Sequence, residues 1–403
     1  MQCRVLPQVT MMLLLLPISL GWLLLALATS LPLLYCGRLL TGLAGAFSML
    51  APAFVGEVAE VGVRGGLSSC MQVMTMLGLL FTYSMGALLP WRSLTWLCLV
   101  VPLLALPCLA LLPRSPVHLV RAGREEEARA ALIFYRGWGQ QPALLDQELA
   151  RLRKVLAQGE DSIGLRAVLA TARYRKPLGL SVLLMVMQQF SGIKVISSYI
   201  VQIFQNAGSE LDASVCSIVV GVIQVVGTSL AVLVVDRFGR KKLLVTSEFF
   251  IAVSFCMLGT FFLLQERGSF SPAWLPLASL VLFAVAYSLG MGPLPWVLNS
   301  ELFAREARTV SSGTGAAANW LCSFLVVKFA PSLEVAVGTG VTYLVFAGLA
   351  LGGTLLIAGA VPETRGKTEE EVAAMWGGQQ EGEGEEGGAL VAGPGKGRDL
   401  ETR

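Results

Sequence analysis

The sequence predicts an all-α membrane protein of ten crossings, and three observations carry that prediction. Of its 403 residues, 55% are hydrophobic and only 14% charged, with a mean hydropathy of +0.68; a soluble domain carries about 25% charged residues. The apolar residues fall in runs of roughly 20, the length a helix needs to cross hydrocarbon. Lysine and arginine collect on one side of those runs, which orients the chain.

In chain order the runs lie at about 9–29, 32–54, 66–88, 94–112, 178–200, 214–235, 243–264, 275–299, 310–330 and 339–361. The first ends in "WLLLALATS", where Ala26-Leu27-Ala28 has the small-residue pattern of a signal-peptide cleavage point. The run is too long for a signal core, and its removal would spoil the even number of crossings, so it is read as a span. With the first terminus in the cytosol, the inner side holds 25 of the 30 lysines and arginines. The outer side holds four (Arg38, Arg92, Arg267, Lys328), and one, Lys194, lies within a crossing. Both termini are therefore expected in the cytosol.

Four segments follow. Residues 1–112 form an N-terminal bundle of four spans, 113–176 a cytosolic loop, 177–361 a six-helix bundle and 362–403 a Gly-rich acidic tail expected to be disordered. Within the loop, "GREEEARAALIFYRG" and "LLDQELARLRKVLAQ" carry apolar residues at helical spacing and predict short amphipathic helices whose charges form a solvated face. The net charge of +3 gives no reason to expect nucleic acid. The eight cysteines fall singly and His118 is the lone histidine, so neither disulfides, a metal centre nor histidine catalysis is expected. No cofactor is called for.

The two bundles echo each other. Glu57 and Arg64 stand seven apart, as do Glu301 and Arg308; "PRSP" begins 49 residues after Arg64 and "PETRG" 54 after Arg308. Parallel repeats of this kind build transporters. In the second copy "DRFGRKK" begins 65 residues before Glu301, and the same count from Glu57 falls before Met1. We therefore expect ten of twelve helices, with the first two of the repeat absent.

Six motifs now point one way: "GRLLTGLAG" (37–45), "PAFVGEVAEVGVRGG" (52–66), "QQFSGI" (188–193), "DRFGRKK" (236–242), "GPLPWVLNSELF" (292–303) and "PETRGK" (362–367). Together they resemble the signatures of the sugar porter family of the major facilitator superfamily, over nearly the whole chain. Two longer stretches, "QQFSGIKVISSYIVQIFQNAGSELDASVCSIVVGVIQ" and "WLPLASLVLFAVAYSLGMGPLPW", look most like arthropod facilitated trehalose transporters and class III facilitative glucose transporters. The resemblance implies the major facilitator fold in a bilayer, a plasma-membrane location, and facilitated diffusion of a neutral sugar, trehalose or a hexose, without enzymatic chemistry.

It also implies the site. Buried amides offer an acceptor and donors to a polyol without a buried charge. Gln188 and Gln189 match the family's sugar-binding pair, with Ile193 closing the motif; their alternative is glue between helices. Gln72, Gln224, Trp296 and Asn319 match further binding positions, with core packing as the alternative for each. Gly290, Gly292, Pro293 and Pro295 would loosen their helix, as a moving element or a static kink. Glu57, Arg64, Asp236, Arg237, Arg240, Glu301, Arg308, Glu363 and Arg365 match an inner charge network that closes the cytosolic end.

Three departures stand out. Arg114 and Val117 in "PRSPV" replace an acid and an arginine of the family pattern, and Lys194 replaces an asparagine beside the sugar site. The helix bearing the coupling aspartate of proton symporters is missing, and no deep carboxylate is evident, Glu248 being placed near a cytosolic end. Facilitated transport is favoured; a proton–sugar symporter, a sugar sensor and an inactive truncated product are the alternatives.

Overall fold

The computed structural model describes residues 7–60, 63–137, 141–157, 164–208, 212–268, 272–303, 305–364, 371 and 375. Every regular element among them is helical. The N-terminal half comprises α1 (Pro7–Ala26), α2 (Leu31–Gly42), α3 (Phe47–Val58), α4 (Arg64–Leu88) and α5 (Trp91–Leu111), a short 3-10 turn at Leu43–Ala46 joining α2 to α3. The loop holds α6 (Pro116–Arg121), α7 (Glu125–Arg136), α8 (Pro142–Ala157) and α9 (Leu165–Ala170). The C-terminal half follows with α10 (Ala172–Phe190), α11 (Ile193–Asn206), α12 (Ala213–Phe238), α13 (Arg240–Glu266), α14 (Leu275–Leu289), α15 (Leu294–Glu301), α16 (Arg305–Val337) and α17 (Thr339–Ala360).

Ten stretches of described helix are long and apolar enough to cross a membrane, with α2–α3, α10–α11 and α14–α15 each making one crossing from two pieces. The protein is a multi-pass membrane protein. Its core lies in the C-terminal half, where α13 packs along α17. Phe255 sits at the centre, its ring 5.6 Å from that of Phe346, 6.2 Å from Tyr343 and edge-on to Phe283 at 5.5 Å. Leu39 and Leu88 instead point outward, 77% and 75% exposed, as side chains facing acyl chains do.

Local chemistry sets the helix ends. Asp212 caps α12, its Oδ1 accepting from the N–H groups of Ser214 (2.7 Å) and Val215 (3.4 Å). Those bonds, Ser214's first, hold its carboxyl below the ordinary carboxylate range. Gln8 Nε2 donates to the carbonyls of Leu109 (2.9 Å) and Leu112 (3.0 Å), which the end of α5 leaves without helical partners. Three glutamates in the first turn of α7 suit its dipole, and Gly137 ends it in the left-handed region.

The loop helices close on a small core of Leu119, Ala128, Ala131, Leu132, Leu145 and Leu149. Their charges are more than a solvated face. The Arg136 side chain is 3% exposed, pairs with Glu148 at 3.0 Å, and donates to the carbonyls of Val58 (3.3 Å) and Ala59 (3.4 Å) at the end of α3. The apolar spacing of α7 predicted its inner face, but Arg136 uses its length to reach past that face and tie the loop to the N-terminal half.

Candidate functional site

Two broken crossings meet at the polar centre. The first breaks at Ser191–Gly192, between α10 and α11, where Gly192 takes φ +77° and an added Cβ would lie 2.5 Å from the Phe255 ring. Only glycine satisfies both the backbone and the space. The second breaks between α14 and α15. Proline has no N–H to give, so Pro295 cannot serve the carbonyl of Met291 four residues before it. The N–H of Gly292 reaches back instead to the Tyr287 carbonyl at 2.7 Å, and that of Met291 goes to Ser247 Oγ at 2.9 Å.

Gln188 repairs the break. Its Nε2 donates to the carbonyls of Met291 (2.7 Å) and Gly292 (2.9 Å), while its Oε1 accepts from Asn319 Nδ2 (2.9 Å). Asn319 Nδ2 also donates to the Met185 carbonyl at 3.0 Å, and its Oδ1 accepts from Gln189 Nε2 at 2.9 Å. Backbone carbonyls only accept, so they fix which end of each amide is nitrogen. The whole chain of bonds then has a single sense, and its surplus is one acceptor: buried Gln189 Oε1 has no partner among the described residues. Gln188, Gln189 and Asn319 are each no more than 3% exposed.

The other expected residues take different places. Ile193 is buried in the core beside the break. Gln224, on α12, is 2% exposed; its carbonyl accepts from Ser288 Oγ at 3.3 Å, and its side-chain Oε1 has no described partner. Gln72 on α4 and Trp296 on α15 are half-buried and form no hydrogen bond with the amide cluster. Lys194 stacks its Nζ over the ring of Trp320, 5.5 Å from the centroid. A cavity of about 680 Å³ between α13, α14 and α17, lined by Phe249, Cys256 and Leu351 among others, contains none of these amides.

Among the charged motifs, the Glu363 carboxylate spans the start of α13, accepting from the N–H groups of Arg240 (3.0 Å) and Lys241 (3.2 Å). It thus caps a helix whose first N–H groups lack intrahelical partners. Arg308 Nη2 donates to the Phe303 carbonyl at 3.3 Å; Glu57 is half-buried at the end of α3, and Arg237 is exposed. The side chains of Arg64, Asp236 and Glu301, and the whole of Arg365, lie outside the described residues. Arg114 is exposed. Burial, then the charges of Arg114, Arg121 and Arg124, hold the His118 imidazole below its ordinary pKa.

Glu363→Ala is expected to remove about 1 kcal/mol of capping. Hydrogen exchange at the Arg240 and Lys241 amides should then speed up by roughly fivefold; unchanged protection would show that the cap is inert.

Some residues escaped the sequence reading. Ser247 accepts from Met291 and donates to the Ala286 carbonyl at 2.7 Å, bridging the break from α13. Asn299 accepts from Ser181 and donates to the Ser312 carbonyl at 3.2 Å, tying α15 to α10 and α16. Its place in the quoted "PWVLNSELF" was the only available signal. Glu248 is a correction: the helix starts at Arg240, so Glu248 lies about 12 Å along it, 1% exposed, with Oε2 lacking a described partner. An added Cβ at Gly353 would stand 2.9 Å from its Oε1, which places the carboxyl against α17.

Comparison with known proteins adds independent findings. Residues 8–376 match the family described as "Sugar (and other) transporter". The facilitated trehalose transporter Tret1 of Culex quinquefasciatus is 35% identical over 361 residues, 88% of this chain and 69% of that protein. That of Anopheles gambiae is also 35% identical, but the chain spans only 45% of its length. The fold is similar to the inward-open xylose transporter XylE from E. coli, with TM-score 0.76 and 26% identity over 92% of this chain and 83% of that one. The proton:xylose symporter XylE bound to 6-bromo-6-deoxy-D-glucose gives TM-score 0.74 and 27% identity, with the same coverage.

Proposed function

The chain belongs to the sugar porter family of the major facilitator superfamily, and on that premise we propose that it moves a neutral sugar, trehalose or a hexose, by facilitated diffusion with alternating access. The observation that carries this reading is the buried amide cluster of Gln188, Gln189 and Asn319 at two broken helices. Broken helices are where transporters of this kind place substrate. The surplus acceptors, Gln189 Oε1 and Gln224 Oε1, would each take a hydroxyl proton. Gln72 and Trp296 would close on the sugar from α4 and α15 as the halves rock. Gln188 would act from behind, keeping α15 in place for the sugar.

The inner charge network, in which Glu363 reaches from beyond α17 to cap the start of α13, would close the cytosolic end. We place the protein in the plasma membrane with both termini cytosolic. The distribution of its lysines and arginines supports the orientation, and the resemblance of its motifs alone suggests the plasma membrane.

The test is uptake of labelled trehalose and glucose in proteoliposomes, by this polypeptide and by the same polypeptide extended with two N-terminal helices of a relative. Saturable, stereospecific uptake by either form supports the reading, and its absence from both refutes it. Gln189→Ala is expected to weaken sugar affinity several-fold, through a bond of about 0.5–1.5 kcal/mol. Unaltered affinity at normal membrane levels would remove Gln189 from the site.

Buried Glu248 favours a second reading, proton-coupled transport. A protonophore that collapses accumulation in the wild type, but not in Glu248→Gln, would select it.

A further inference from the structure

We propose that Lys194 makes this site an anion acceptor, so that a sugar bearing a carboxylate or phosphate binds in preference to the neutral sugar of the same skeleton. The inference rests on the amide cluster being the sugar site.

Position comes first. Lys194 stands in the opening turn of α11, just past the Gly192 break and five residues after Gln189. Its ammonium lies over Trp320, the residue after Asn319. Trp320 thus adjoins one member of the amide cluster along the chain, and Lys194 lies five residues beyond another. Trp320 also faces the N-terminal half: a Cβ added at Gly45, in the turn between α2 and α3, would stand 3.2 Å from its ring. The cation therefore sits where the two halves meet, on the route a substrate takes in alternating access.

Charge comes second. Lys194 is half-buried within a crossing, and the aromatic face is its one recorded partner among the described residues. An ion at membrane depth ordinarily faces a counter-charge or a wet cavity, and a ring quadrupole compensates an ammonium only in part. Among the described residues no acidic side chain forms an ion pair with it; the described pairs lie in the loop between the two halves. A substrate that brings its own negative charge completes the site.

The third point is complementarity. The surplus acceptors at Gln189 and Gln224 suit hydroxyls and repel anionic oxygen, whereas the ammonium donates charge-assisted bonds to it. A ligand with hydroxyls at one end and an anion at the other answers both features. Uronates and sugar phosphates share that chemistry, and the test separates them.

The purified 403-residue chain is titrated with glucose, glucuronate, glucose 6-phosphate and inorganic phosphate, for the wild type, Lys194→Gln and Lys194→Arg, each checked for folding by circular dichroism. In the wild type, one or both anionic sugars should bind about tenfold more tightly than glucose. The preference should persist in Lys194→Arg and vanish in Lys194→Gln. Glucuronate alone binding tightly would assign a carboxylate; glucose 6-phosphate alone would assign a phosphate. Glucose binding without any anionic preference would overturn this inference and leave the sugar-site reading standing. A preference that survives Lys194→Gln, or inorganic phosphate binding as tightly as the sugar phosphate, would also overturn it. Failure of every sugar to bind would overturn both.

Discussion

Asn319→Leu is expected to cost about 2–6 kcal/mol of stability and to abolish measurable sugar binding. The substitution keeps the side chain's approximate size but deletes all three of its bonds, to the Met185 carbonyl, Gln188 Oε1 and Gln189 Nε2. Hydrogen bonds between membrane helices are individually modest, averaging about 0.6 kcal/mol, so counting lost bonds alone understates the effect. The larger part comes from the two glutamines. Gln188 Oε1 and Gln189 Nε2 would stay buried with no replacement partner, at about 1–3 kcal/mol each. Gln188 would still be held through Met291 and Gly292, whereas Gln189 would keep none of its recorded side-chain bonds.

That asymmetry supplies a stricter measurement than the single change. If orphaned partners dominate, Gln189→Leu combined with Asn319→Leu should cost less than the sum of the two, because the pair leaves nothing unsatisfied across their contact. Thermal unfolding in detergent of the four members of the cycle provides the numbers. Strict additivity would mean that the two amides do not depend on one another.

The cluster also shows how far sequence could lead. Ten spans were legible because hydrocarbon demands long apolar runs, and six polar or charged residues inside one of them, from Gln188 to Ser198, were conspicuous. Helix ends were less so. α10 begins at Ala172, before Arg173, Arg175 and Lys176, where the hydropathy reading starts its span at 178. Charge ends the apolar run there without ending the helix. That the glutamines bond Asn319, 130 residues on, is a product of packing that no local pattern contains. The same holds for Gln188 and the break: Pro295 announces a freed carbonyl, but only the fold says which donor arrives. Arg136 misled for the opposite reason. Its helix has the spacing of an amphipathic surface segment, and its burial depends on α3 and Glu148, both remote in sequence.

Gly290→Ala should be at least as damaging, lowering stability by about 2–6 kcal/mol, although it adds a single methyl group. The backbone angles there, φ −135° and ψ −76°, do not lie in the left-handed region, so the argument is about space. The added Cβ would come to 2.4 Å from Ser247 Cβ, 2.7 Å from the Leu243 carbonyl oxygen and 2.8 Å from Ser247 Oγ. Neither a backbone oxygen nor a Cβ can swing aside, so α13 must move away from the break, at the overpacking cost of about 1–3 kcal/mol. The movement would also carry Ser247 Oγ from the Met291 N–H, which it now accepts at 2.9 Å. That group would be left buried without a partner, for about another 1–3 kcal/mol. Since Met291 and Gly292 also hold Gln188, sugar affinity should fall with stability. Gly292→Ala is the control: its nearest contact, the Tyr287 carbonyl, stands at 3.0 Å, so a smaller loss is expected. Removing the obstructing Cβ in Gly290→Ala/Ser247→Gly should recover only the part of the steric cost that Ser247 causes, since the Leu243 carbonyl oxygen still stands at 2.7 Å, and should leave the Met291 N–H unpaired. Unfolding midpoints for the three variants decide the matter: equal stability of Gly290→Ala and the wild type would mean that the break tolerates separation from α13, and that Ser247 does not hold it.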